Sequence, residues 1–396
     1  MQRDVKVAFF LAKKNLFSNK RMFFLINFII GFSFLSANFP GLMTEGIQKV
    51  SENTGIDHAT GHIVIFPEAG KSTIVDYEQI ENRLRRVPNV QSVTSRLEIP
   101  VTFKDDKQNV VSSIMKFSKP ENDLPTMKVN NYLIAGQYLS GSNEIVIGSE
   151  LLTKYKTTGS ERLDLDVGDI VDFTINGGKN VSVKISGVFS SYSLYYDRFS
   201  YADFKMYEKI FNKKVENVNK MHVKLEDISL LEETTRKIKN MNMDVKVLAW
   251  NDPDAGISDV SSSFEIIGNM ITLIGLLVAI FVIYIIVYIN ILTKTPQIGI
   301  MRAVGITDKT IILSYIFLSV IYGLLGVALG TMLMTFAQEY FALNPLIMPL
   351  GRVSPKLNYP ILLRNAIVLF ISSLIAGYYP SKKITEKNIL DSIFKG

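Results

Sequence analysis

The sequence predicts a membrane protein of four transmembrane α-helices, with a large mixed α/β domain inserted between the first and the second. Three observations carry that fold class. Hydrophobic residues make up 47% of the 396, yet 20% are charged, too many for a chain buried wholly in lipid. Four runs (residues 22–44, 266–293, 310–338 and 365–381) hold no charged side chain. Between the first two runs, residues 45–264 alternate helical and strand-like patterns.

A membrane span takes roughly 20 apolar residues. The first three runs meet that length, and 365–381 spans if the flanking Lys382 and Lys383 snorkel. An Asp, Lys or Arg at a span centre would cost about 2.5–3.5 kcal/mol, and none of the four carries one. Residues 1–21 read as an amphipathic helix leading into the first span. The apolar run behind them exceeds the core of a signal peptide, about 7–15 residues, so the first span is read as uncleaved. Segments 1–21, 294–309 and 382–396 together carry 13 basic and 4 acidic side chains, whereas 45–265 carries 27 and 32. Basic flanks stay in the cytoplasm. Both termini and loop 294–309 are therefore expected inside, with domain 45–264 and loop 339–364 outside, in a plasma or inner membrane. The net charge of +6 is then a topology signal, and no nucleic-acid partner is expected, since that requires one basic face. The chain has no cysteine, which excludes disulfides and thiol chemistry and leaves the outer domain to stand on its own core.

Within that domain, residues 77–86 have helical spacing, and 90–103 read as strands with a turn near Pro100. The pattern repeats late, with a helix over 228–241 and a strand over 245–250. Two βαβ-like halves are thus expected around a β-rich middle at about 130–200. There, a strand over 144–148 precedes a short helix at 149–155, and 167–173 leads through Asn176-Gly177-Gly178, a strong hairpin signal, to a returning strand over 181–188. In the first span, Asn38, Pro40 and Gly41 either bend the helix or end it.

Few motifs suggest chemistry. Gly70-Lys71-Ser72-Thr73 has Ile65 where a P-loop needs glycine. His58 and His62 are four apart, but Thr60 and Gly61 argue against a helix there, and an ordinary surface pair is expected rather than a metal site. Asn180-Val181-Ser182 is a glycosylation sequon. There is no nucleophile elbow and no paired-carboxylate arrangement, so no catalytic residue and no cofactor is expected on this chain. Gly323, Gly326 and Gly330 line one side of the third span and allow close helix packing, within one subunit or between two.

The loop between the second and third spans is different. Pro296, Gln297, Ile298, Gly299, Ile300, Met301, Arg302, Ala303, Val304 and Gly305 form a compact segment whose apolar groups, with Arg302 beside them, ask for a groove to fill. This stretch resembles the "REIGILRALG" segment of FtsX/MacB-type ABC transporter permeases, with Gln297 where that family usually has Glu. "NEIVIGSEL" at 143–151, "VGDIVDF" at 167–173, "VKISGVF" at 183–189 and "VKVLAWND" at 245–252 resemble the family's extracytoplasmic domain, in the same order. Residues 12–20 resemble its leading helix, and Tyr379-Pro380-Ser381-Lys382-Lys383 with 388–393 resemble its tail.

The resemblance implies a MacB periplasmic-core-like outer domain and a non-catalytic permease subunit. Its partners would be a separate ABC-type ATPase that binds ATP, a second permease subunit, membrane lipid, and a lipoprotein or exported cargo. Segment 296–305 would dock on the ATPase as a coupling helix. ATPase-driven motion would pass to the outer domain and extract or export cargo without a hydrophilic transmembrane channel. The closest look is to the lipoprotein-releasing branch, although the turn at 176–178 is minimal where some members have an extended carrier-recruiting hook. The alternatives are an FtsX-like regulator of an extracellular cell-wall hydrolase and a membrane-anchored sensor.

Overall fold

The amphipathic start folds as α1 (Gln2–Phe17), which buries Ala8, Ala12 and Leu16, one stripe at intervals of four residues. A computed structural model describes residues 2–18, 20–156, 162–175, 178–255, 258–348 and 351–386. After α1 comes α2 (Lys20–Gly55), which continues through Pro40 and ends in a π turn over Ile56–Thr60. The α/β region follows: β1 (Ile63–Pro67), β2 (Ile74–Val75), α3 (Tyr77–Leu84), β3 (Val90–Lys104), β4 (Val110–Ser118), α4 (Pro120–Met127), β5 (Leu133–Gly136) and β6 (Glu144–Gly148). It continues with β7 (Ile170–Ile175), β8 (Lys179–Phe189), β9 (Phe199–Asp203), α5 (Phe204–Phe211), β10 (Asn217–Val218), β11 (Lys220–Leu225), α6 (Leu231–Lys239) and β12 (Val245–Ala249). The chain closes with α7 (Ser258–Thr293), α8 (Thr295–Ala303), α9 (Asp308–Leu343), the hairpin β13 (Leu346–Met348) and β14 (Gly351–Val353), and α10 (Tyr359–Thr385).

Contacts divide the chain into two units. A helical unit holds residues 1–46, 263–345 and 354–396, and an α/β unit holds 47–262 with 346–353. Among the described residues, four helical segments are long and apolar enough to cross a membrane: Lys20–Thr60, Ile266–Thr293, Asp308–Leu343 and Tyr359–Thr385. They overrun the charge-free stretches because backbone hydrogen bonds within a helix need no lipid. The stretch 339–364, expected as one loop, instead finishes α9, forms the β13–β14 hairpin and begins α10. Likewise Pro40 does not end α2.

In the α/β unit, β12, β1, β11 and β3 pair in that order, all antiparallel. Taken with α3 and α6, this is two split βαβ halves, with β3 and β11 separated in sequence by a long insertion. The insertion closes on itself. β3, β4, β9, β6, β8 and β7 pair in turn, and β7 pairs back to β3. Phe103, Phe117, Ile147, Phe173 and Ile185 fill this six-stranded ring and are fully buried. Tyr77 and Leu84 of α3 and Ile238 of α6 belong to the same core.

β3 runs straight through Pro100, where a turn was expected. On one side it pairs with β4 from Leu97 to Lys104. On the other it pairs with β11 up to Arg96 and with β7 from Val101. Pro100 falls in the gap between those two neighbours, where a strand can lack an N–H. Asn219 fills part of the gap: its Oδ1 accepts from the Glu98 N–H (2.8 Å) and its Nδ2 donates to the Glu98 carbonyl (2.7 Å). The helix expected at 149–155 is a single 3-10 turn, Ser149–Leu151. Asn176 and Gly177 of the expected hairpin turn lie outside the described residues.

The histidines are corrected more sharply. None is at the surface: His58 and His222 are completely buried and His62 nearly so. The π turn carries His58 into an aromatic cluster, where its Nδ1 lies 3.1 Å from the Tyr201 hydroxyl and its ring stacks on Phe189. Gly61, at φ +66, then turns the chain so that His62 lies beside β1, its Nδ1 accepting from the Leu225 N–H at 3.0 Å. Among the described residues no group of His, Asp and Glu is arranged to hold a metal.

His222 sits beside a buried ionic cluster. Arg96 donates from Nε and one Nη to both oxygens of Asp123, each at 2.8 Å. Glu98 faces Lys220 at 2.6 Å and Lys116 at 3.4 Å, and Lys116 also donates to the His58 carbonyl at 2.8 Å. Burial, with Arg96 and the nearby lysines, pushes His222 down to about 3, and burial takes His62 down to about 4. Both stay neutral in the folded chain under conditions where the unfolded chain binds protons, so stability falls as pH drops below about 6.5. His222 alone contributes a slope of about 1.4 kcal/mol per pH unit, running down towards its folded value. Thermal melting of the full-length protein followed by Trp250 fluorescence should show this acid lability, and His222→Phe should flatten it.

A candidate coupling helix between two crossing helices

α8 owes its helical form to local signals. Lys294 precedes it and Pro296 occupies its first turn, where a missing N–H costs nothing. At its other end the Ile306 N–H bonds to the Met301 carbonyl and the Gly305 N–H to the Arg302 carbonyl, both at 3.0 Å. With Gly305 at φ +96, this is a Schellman stop. Thr307 then caps α9, accepting from the Thr310 N–H. Lys294 Nζ ties the start of α8 to the end of α1, donating to Asn15 Oδ1 at 3.0 Å. Arg302 Nε donates to Asp308 Oδ1 at 2.8 Å, so its charge folds back on the next helix.

The ten residues expected to make this contact do not share one face. Ile298 is 1% exposed and belongs to the core of the helical unit, Gly299 is buried, and Met301 packs partly against that core. Pro296 and Arg302 are intermediate. Gln297, Ile300, Ala303 and Val304 face outward, with Gly305 after them. Ile300 and Val304 are 55% and 78% exposed. The outward apolar stripe is therefore Ile300, Ala303 and Val304, and Met301 is a packing residue. The helical period starting from buried Ile298 could have separated these roles.

The glycines of α9 lie against its neighbours in the same unit. A Cβ on Gly323 would come within 2.4 Å of Ser373 Oγ, one on Gly326 within 2.2 Å of Ile30 Cγ2, and one on Gly330 within 2.7 Å of the Gly31 carbonyl. α7 meets α2 through a similar narrow seam: Cβ atoms on Gly268 and Gly275 would lie 2.1 Å from Thr44 Oγ1 and 2.6 Å from Ala37 Cα. Further along, α7 buries Ala279, Ile283, Val287 and Ile291 in the core of the helical unit, while its other face is exposed and apolar, as at Ile267, Leu273, Ile274 and Phe281. Sequence reasoning missed a buried polar contact between α2 and α10. Asn365 Nδ2 donates to Asn38 Oδ1 at 2.7 Å, and Asn38 Nδ2 to the Phe34 carbonyl at 2.8 Å. Asn38 had drawn attention only as part of a possible bend.

Four helices of crossing length around an inserted α/β domain define a membrane protein with an extracytoplasmic domain. Residues 269–389 match the FtsX-like permease C-terminal family, and residues 29–241 match the MacB-like periplasmic core domain. The chain belongs to the FtsX/MacB family of ABC transporter permeases. An ABC transporter permease of Methanocaldococcus jannaschii is 23% identical over 336 residues, covering 80% of this chain and 82% of its own. A Staphylococcus haemolyticus protein named as hemin transport system permease HrtB is 25% identical over 294 residues, with coverage of 70% and 72%. The lipoprotein-releasing system transmembrane protein LolC of Buchnera aphidicola is 24% identical over 284 residues, with coverage of 69% and 67%.

Two glycine substitutions separate backbone strain from packing. Gly305→Ala meets no atom within 4 Å, so its cost comes from φ alone and should be about 1–2 kcal/mol. Gly330→Ala presses on a backbone carbonyl and on Phe34, and should cost about 1–3 kcal/mol. Unfolding of the two variants in detergent measures both, and Gly305→Asn should recover part of the first loss.

Proposed function

We propose that this chain is the non-catalytic permease subunit of an ABC transporter whose ATP is bound and hydrolysed by a separate ATPase chain. α8 is the coupling helix. Its outward stripe of Ile300, Ala303 and Val304, edged by Gln297, fills a groove on the ATPase, while Ile298 and Met301 fasten it to the helical unit. The observation that carries this reading is the exposure of Ile300 and Val304 on a short helix between two crossing helices. A solvated turn has no use for two large exposed aliphatic side chains on one face. Both termini and α8 lie in the cytoplasm, a placement supported by their basic excess.

A second permease subunit, with lipid, covers the exposed apolar face of α7. The mechanism is mechanical: ATP binding draws the coupling helices together, and the crossing helices pass that motion to the extracytoplasmic domain. The charge-free runs hold no Asp, Glu, Lys, Arg or His to line a hydrophilic path, so cargo is taken from outside or from the outer leaflet. Lipoprotein-like cargo fits that route, and the LolC relative supports the class. The chain itself binds no cofactor.

Co-purification from membranes tests the coupling role. Wild type should bring down an ABC ATPase, and Ile300→Glu or Val304→Glu should reduce its recovery at least about tenfold, because each buries an unpaired carboxylate in the contact. Ile298→Glu should instead lower the yield of folded protein. A stable Ile300→Glu, Val304→Glu double variant that retains the ATPase sinks the assignment of α8.

A further inference from the structure

A second site lies wholly within the α/β unit. A cavity of about 380 Å³ is bordered by Val50, Asn53 and Thr54 on the last turns of α2, by 131–134 leading into β5, by Ser190–Tyr192 after β8, and by Arg352 on β14. We propose that this cavity binds a phosphate ester carried on a short apolar stem.

Four observations point that way. The Arg352 guanidinium lies over the Tyr192 ring, 3.6 Å from its centroid, and no acidic side chain among the described residues pairs with it. Stacking fixes the plane of the fork and leaves its N–H edges for an oxyanion. Tyr192 holds that ring in place from a left-handed backbone (φ +60), an outlier for a bulky residue and of the kind that collects at ligand clamps. The loop is fixed from behind: Ser191 N–H and Oγ bond to Asp197 Oδ1 at 2.8 and 2.6 Å, and Ser190 Oγ to Oδ2 at 2.9 Å. The β14 backbone comes close only because residue 351 is glycine, at φ +138, where a Cβ would lie 2.7 Å from Val50 Cγ1.

The lining also sets the ligand's chemistry. Among the described residues no carboxylate lines the cavity, whereas Asn53, Asn131 and Thr54 line it together with the cation Arg352. A tetrahedral anion with several acceptor oxygens can use them all, and a guanidinium recognises it through two N–H groups. Val50, Leu133 and Ile134 offer an apolar wall for the stem. The shared chemistry has two sources, an anionic phospholipid headgroup or a soluble phosphorylated metabolite. Both chain segments that border the cavity at Val50–Thr54 and Arg352 adjoin crossing-length helices in sequence, which favours the headgroup. The site is independent of the coupling role of α8.

The test uses the full-length protein in detergent. Phosphatidylglycerol retention is read by native mass spectrometry against diacylglycerol, which lacks the phosphate, and glycerol 3-phosphate binding by calorimetry. Wild type should bind a phosphate probe, Arg352→Gln should weaken it about tenfold to a hundredfold, and Arg352→Lys should fall between. Retention of phosphatidylglycerol without glycerol 3-phosphate binding identifies the headgroup as the source, and binding of both identifies a soluble ligand class. If Arg352→Gln fails to fold, Asn53→Leu with Asn131→Leu carries the same expectation of weakened binding. Equal retention of both lipids with no calorimetric signal, or binding untouched in a folded Arg352→Gln, overturns the proposal.

Discussion

The α/β unit depends on one strand serving two architectures. β3 is paired from end to end, but its neighbour on one side changes from β11 to β7 between Arg96 and Val101. Sheet order, barrel closure and the placement of the long insertion all follow from that exchange. The exchange leaves backbone groups without a ladder partner, and unpaired buried N–H and C=O groups are costly. Here Asn219 supplies the missing partners at Glu98, and proline removes the need for one at position 100. The buried ionic cluster lies at the same point, with Arg96 and Glu98 on the strand itself. Such a cluster adds little net stability against an apolar replacement, but every misaligned register leaves a charge unpaired. Its contribution is to fix which residues of β3 meet which neighbour.

The helical unit meets a different constraint. Lipid offers apolar side chains no incentive to prefer one another, so helices associate through close backbone approach and occasional polar contacts. Glycine at 268, 275, 323, 326 and 330 provides the first, and the Asn38–Asn365 bond the second. α8 is held by neither device. It is fastened by Ile298 in the core, by Lys294 on the end of α1, and by Arg302 on Asp308, which leaves one face exposed among the described residues.

Much of this architecture was legible in the residues. Charge-free runs disclose crossing helices because a charge in lipid is expensive, and ordered motifs disclosed the family. Helix limits were less legible, since an α-helix that leaves lipid meets no chemical signal until a cap or a turn residue appears: α2 runs on to Gly55 for that reason. Pro100 misled because its tolerance depends on which strand lies beside it, and that is decided by residues far away in sequence. His58 and His62 misled for a similar cause: His58 is buried against Tyr201 and Phe189 of the barrel strands, and His62 against β11, all far away in sequence. At the coupling helix the residue types were readable, but which of them point outward needed the register fixed by Ile298.

The seam between α7 and α2 has a mechanical meaning. Helices locked by large interdigitating side chains move in jumps, because each knob must leave one hole before it finds the next. Where Gly268, Gly275 and Ala37 let backbones touch, there are few knobs to lift. Such a contact resists separation, through dense van der Waals packing, far more than it resists sliding. This end of α7 is thus shaped less like a wall of the bundle than like a smooth bearing, whereas Ile283, Val287 and Ile291 hold the other end in the core.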